Sequence, residues 1–135
     1  MNTIVDFEIG KLLKERGYNE PHNKVYNTLG ELWDSHYPTM TNDDVDSGAC
    51  CTAPIIAEVV MWLYEKYGVW VEVNLLPNID KFSFIAKPIN FKKPKEFDSY
   101  VEYYKAVSKF ISKERFNLPT EAYFEAIKYT LNNLV

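Results

Sequence analysis

Two adjacent thiols, Cys50 and Cys51, are the only cysteines in this chain. A cysteine attacks as its thiolate, so it needs a helix N-terminus, a cation or a histidine close by to lower its pKa. Both thiols stand just ahead of a segment that reads as a helix from Thr52, which suits that chemistry. His22 and His36 are the only imidazoles that could serve as a base, and neither shares a motif with a thiol. Cys51 with His36 therefore defines a thiol-dependent hydrolase as one alternative. The plainer reading is a pair of free thiols with Cys51 partly buried.

Other reactive patterns fail on spacing. Asn42, Asp43, Asp44 and Asp46 suggest a calcium loop, which needs oxygen ligands at positions 1, 3 and 5, glycine at 6 and glutamate at 12. Counted from Asn42, those last two positions hold Ser47 and Ala53; counted from Asp44, position 5 is Gly48 and position 12 is Ile55. A solvated acidic loop fits better. Cys50, Cys51, His22 and His36 supply the number of ligands zinc wants but not the paired spacing. Five glycines scattered singly make no phosphate loop. No metal and no cofactor is expected.

Lys81 to Lys95 interleaves five lysines with Phe82, Phe84 and Phe91. Aromatics among cations bind single-stranded nucleic acid in several folds, and Lys92, Lys93 and Lys95 would be the contacts here. The pI near 5.2 argues against that use. So does the scarcity of arginine, which is confined to Arg16 and Arg115. Phe82 and Phe84 also share the face a core would use. Aromatics left off the helical and strand stripes are better candidates for binding: Trp62 and Tyr64, Trp70 beside Glu72 and Asn74, and Tyr103. Tryptophan and tyrosine are enriched where proteins meet.

The elements that position these residues centre on Thr52 to Leu76. Thr52 suits a cap and Pro54 a first turn. Ile55, Ile56, Val59, Val60, Leu63 and Tyr67 make a wide apolar stripe. After Gly68 the period becomes two, with Val69, Val71, Val73 and Leu75 on one face of a strand expected to lie against that helix. Pro77 to Asp80 turns the chain and Lys81 to Lys87 returns, with Phe82, Phe84 and Ala86 on one face.

Around this centre, Met1 to Arg16 reads as a helix stopped at Gly17. Lys24–Thr28 and Glu31–Ser35 read as a short hairpin, and Tyr37 to Ala49 as an irregular loop. Ser99 opens a helix with a capping box to Glu102, carrying Tyr100, Tyr104, Val107 and Ile111 on one side. Pro119 opens a last helix to Asn133, with Tyr123, Phe124, Ile127, Leu131 and Leu134 as its stripe. Helices and hairpins in mixed order predict one α+β domain over residues 1–135. Its small antiparallel sheet would have two to four strands, with about four helices mainly packed on one face.

Composition narrows the setting. The 135 residues are 47% apolar, enough for a core without staples, and no apolar run approaches 18 residues. Asp6 and Glu8 near the start argue against a secretory signal, and two adjacent cysteines are not a disulfide framework, so a reducing cytoplasm is expected. Residues 1–80 carry 5 basic against 13 acidic side chains, and residues 81–135 carry 10 against 6. That asymmetry, with the leftover aromatics, predicts a self-association surface, most simply a twofold dimer.

Two stretches, Ala53–Val73 (APIIAEVVMWLYEKYGVWVEV) and Leu118–Leu134 (LPTEAYFEAIKYTLNNL), resemble small proteins carried by phages, prophages and mobile elements of Bacteroides-type gut bacteria. In those proteins a helix ending in a W-x-x-E-K-Y-like run leads into a strand, matched here by Trp62, Glu65, Lys66 and Tyr67. A final helix there starts with an E-A-Y pattern, matched by Glu121, Ala122 and Tyr123. The resemblance implies a small accessory protein and brings no activity with it. The expectation is a non-enzymatic protein that binds a protein or small ligand through Trp62, Trp70, Tyr64 and Tyr103.

Overall fold

The computed structural model describes residues 3–35, 40–45, 49–90 and 94–135. Among the described residues, four α-helices and five strands follow in the order α1 (Phe7–Glu15), β1 (Lys24–Asn27), β2 (Leu32–Asp34), β3 (Ala49–Thr52), α2 (Ile56–Tyr67), β4 (Val69–Leu76), β5 (Lys81–Pro88), α3 (Tyr100–Ser108) and α4 (Pro119–Asn133). The class is α+β, as the sequence predicts, but the strands divide between two antiparallel sheets, ordered β2-β1-β3 and β4-β5. The chain also divides into two compact units, Met1–Val59 and Val60–Val135, with the boundary inside α2. No helix among the described residues is long and apolar enough to cross a membrane.

In the first unit, α1 begins at Phe7, six residues after the predicted start at Met1. The Asp6 carboxylate caps it by accepting from the Ile9 N–H at 2.9 Å. The residues ahead are extended instead, because Ile4 bridges Ile55 and the Val5 N–H donates to the Pro54 carbonyl. Gly17, at φ 84°, ends the helix as expected. The predicted β1–β2 hairpin forms: the Asn27 side-chain oxygen accepts from the N–H groups of Leu29 and Glu31, which fixes the turn.

β3 replaces the expected helical start at Thr52. Val25 pairs with Thr52 and Tyr26 with Cys51, so the sheet claims these residues before a helix can form. The Thr52 hydroxyl, expected to cap α2, is buried with no hydrogen-bond partner among the described residues. α1 crosses β3 at Gly10, where an added Cβ would lie 3.0 Å from Cys51 Sγ and 3.2 Å from the Thr52 carbonyl oxygen. Only a glycine lets helix and strand approach that closely.

In the second unit, Gly68 at φ 66° turns the chain into β4, and β4 pairs with β5 in register from Val69↔Pro88 to Leu76↔Lys81. The helix packed along both strands is α4, whereas the sequence assigns that place to α2. α4 covers the face of Val69, Val71, Phe84 and Ala86, with Phe84 and Tyr129 ring centroids 6.0 Å apart. Small side chains let it sit close: Ala122, Ala126 and Thr130 are buried beside Ile127 and Leu131. Pro119 opens α4 and Ser99 caps α3 through the Glu102 N–H, both as predicted.

The stripe predicted for α3 is not a buried one. No residue of α3 is buried, and Tyr100 and Tyr104 are among its exposed side chains. Ile111 lies outside the helix altogether, bridging Ile85 in a segment that runs along β5. There the Phe110 and Phe116 carbonyls accept from Ala86 and Phe82, and the Ser112 N–H donates to the Phe84 carbonyl.

Candidate functional site

Cys51 is the fully buried member of the thiol pair. Burial beside Cys50 pushes its pKa up to about 12, and Lys14 and Lys11 oppose this only weakly. The Lys14 ammonium is spent on the Cys50 carbonyl, 2.8 Å away. A thiol held protonated between a helix and a sheet is a packing group, not a nucleophile. His36, its proposed base, lies outside the described residues. The lysines of the nucleic-acid reading divide similarly: Lys92 and Lys93 lie outside the described residues, and Lys95 is exposed in a turn of 3-10 helix.

The acidic loop is pinned by one buried residue, while Asp43 and Asp44 stay exposed. Asn42 is buried, donating to the Tyr18 carbonyl at 2.6 Å and accepting from the Thr52 N–H at 2.8 Å. Asp43 accepts from the Asn19 amide and Asp44 from the Thr41 hydroxyl, while Asp46 lies outside the described residues. No group of three metal-ligating side chains occurs among the described residues.

The first unit also holds a polar chain that motif spacing does not reveal. Glu58 lies 3.2 Å from His22 Nδ1, and His22 Nε2 lies 2.7 Å from the Tyr18 hydroxyl. The carboxylate can only accept, so Nδ1 carries the proton, Nε2 accepts, and the phenol donates. The two rings stack with centroids 5.6 Å apart. Glu58 is 36 residues from His22 in sequence, so only the fold brings them together. Tyr18 is buried and cannot meet a substrate, which makes this chain a structural clasp.

The clasp carries a pH signature. Burial holds His22 below the ordinary imidazole value, outweighing the pull of Glu58 and Glu20 in the other direction. Burial, aided by Glu58 and Glu20, also raises the Tyr18 phenol well above the usual tyrosine range. The unfolded chain therefore binds more protons at His22 than the folded one as pH falls through about 6.5, and stability drops there. Above pH about 10 the unfolded phenol ionises first, and stability drops again. Melting temperatures from pH 7.5 down to about 5 should fall more for wild type than for His22→Gln. Equal falls would remove His22 as the acid-sensitive group.

Of the four predicted binding aromatics, the structure brings two together. Tyr64 on α2 and Trp70 on β4 meet edge to face, centroids 5.7 Å apart, and stay 40% and 38% exposed. The Trp70 indole N–H donates to Glu72 Oε2 at 3.2 Å, which orients the ring. Met61, one turn before Tyr64, is 46% exposed and extends the surface; its i−3 spacing was the available signal. Trp62 is instead buried against Tyr67 with Lys66 over its ring. Tyr103 belongs to a separate cluster with Phe97 and Tyr104. No known protein family, curated protein or solved structure matches this chain.

Proposed function

We propose that this chain is a small non-enzymatic accessory protein that acts by binding a protein partner. The observation that carries this is the exposed surface of Met61, Tyr64 and Trp70. Three large apolar side chains stand together there, and Trp70 is held by its own neighbours Tyr64 and Glu72. A ring already fixed in place loses little freedom on binding, which is what makes aromatic anchors effective. The buried, protonated Cys51 speaks against thiol chemistry. The resemblance of Ala53–Val73 and Leu118–Leu134 supports a phage or mobile-element setting, and the two free cysteines support the cytoplasm.

The test is retention of a stoichiometric partner from host lysate by the immobilised protein. Tyr64→Ala should cost about 1–2 kcal/mol of affinity, roughly tenfold or more, with an unchanged melting temperature. A partner held equally well by wild type and Tyr64→Ala would move the site elsewhere. Absence of any retained partner would sink the binding reading.

A further inference from the structure

Of the four described α-helices, α3 is the one with no buried residue. Its nine residues fall short of the ~12–15 at which an isolated helix begins to hold in water, so packing must supply most of its stability. The contacts on its inner side are half-buried ones. Tyr103 meets Phe97 there, with ring centroids 5.5 Å apart. The Ser99 cap adds a hydrogen bond from the Glu102 N–H.

The side turned to solvent is apolar along its first turns. Tyr100 and Tyr104 stand one turn apart with Val101 beside them, and the three are 72%, 65% and 63% exposed. Tyr104 is already held edge to face by Tyr103, centroids 5.5 Å apart. The small Ser108 continues the same row, a turn beyond Tyr104. Scattered exposed apolar side chains are ordinary, but a contiguous set on a helix without a core marks a surface to be covered.

The charges beside this row say by what. Glu102 and Lys105 are exposed, lie on the same flank of the row, and have no ion-pair partner among the described residues. We propose that α3 packs against α3 of a second copy, antiparallel about a twofold axis between Tyr103 and Tyr104. That axis brings Glu102 level with Lys105 of the second copy, and Lys105 level with its Glu102, so one helix supplies both halves of two ion pairs. Centring on Glu102 or on Lys105 would instead set like charges level. In the chosen register the two Tyr104 side chains meet at the axis. Tyr100 reaches the gap between Tyr104 and Ser108 of the second copy, where the serine leaves room. Two tyrosines and a valine from each copy cover roughly 1,000 Å² in total, the size of a weak, concentration-dependent pair. The proposal is independent of the Met61, Tyr64 and Trp70 surface and would present it twice to one partner.

Sedimentation equilibrium of the full chain from about 5 to about 500 µM should show a dimer with a constant near ~100 µM, weakened by salt. Tyr104→Ser changes an exposed side chain, so the fold is kept while dimerisation weakens at least about tenfold. Glu102→Lys and Lys105→Glu should each weaken the dimer about fivefold, and the double variant should restore it, because the swapped charges again face opposites. Tyr104→Cys should give an intermolecular disulfide on mild oxidation, whereas Val101→Cys, several ångströms from its own copy across the axis, should not. The cysteine pair keeps the test open if a charge variant loosens the helix. A monomer mass throughout overturns the proposal and leaves the face to a different protein. A folded Tyr104→Ser that dimerises like wild type, or preferential cross-linking at position 101, overturns it as well. Tyr64→Ala should leave the dimer intact, which separates this result from failure of partner binding.

Discussion

Leu63→Asp is expected to unfold the second unit. Leu63 is fully buried on α2, and no basic side chain among the described residues pairs there. A carboxylate forced into that position either stays charged without a partner or takes up a proton, and both routes cost about 4 kcal/mol or more. Set against the roughly 5–15 kcal/mol by which small domains are folded at all, a loss of that size takes most of the margin of a domain near the lower end of the range. Leu63→Ala, which leaves only a cavity, should cost about 2–5 kcal/mol and remain foldable. Circular dichroism and urea titration would distinguish them. Wild-type melting of Leu63→Asp would mean that α2 does not face the core, and the description of the second unit would fall with it.

Asn42→Ala should be the most damaging change in the acidic loop, although its neighbours carry the charge. The amide side chain bridges two main-chain groups, the Tyr18 carbonyl and the Thr52 N–H, and is itself buried. Truncation strands both. Each unmade buried hydrogen bond costs about 1–3 kcal/mol, so a loss near 3 kcal/mol is expected. Asp43→Ala removes only an exposed contact to Asn19 and should cost less than about 1 kcal/mol. The comparison is read from denaturation midpoints at equal slope. Equal losses in the two variants would show that the loop is not pinned through Asn42.

The binding reading has its own internal contrast. Trp62 and Trp70 are eight residues apart and look equivalent as leftover aromatics in the sequence, yet one is buried and the other forms part of an exposed pair. The difference lies in what each meets. Trp62 finds Tyr67 and the Lys66 ammonium on its own helix. Trp70 alternates away from the strand face that α4 covers, and meets Tyr64 and the Glu72 carboxylate instead.

By itself the sequence determined whatever depends on neighbours within a few residues. Gly17 and Gly68 end their helices, Ser99 caps α3, Pro119 opens α4, and the period-two run from Val69 gives the β4–β5 hairpin. These are local steric and hydrogen-bonding choices, settled before any tertiary contact forms. Tertiary structure decided the rest, because it turned on competition for partners far away in the chain. Thr52 could begin a helix, but Val25 claims it for a sheet. Phe84 could pack under any apolar stripe, and α4 wins through the small residues Ala122 and Ala126, which permit close approach. Cys51 precedes a helical segment in sequence, but pairing with Tyr26 buries it and raises its pKa, so a position suited to a nucleophile became part of the core. His22 acquires its role only when α2 delivers Glu58 across 36 residues, a distance no spacing motif spans.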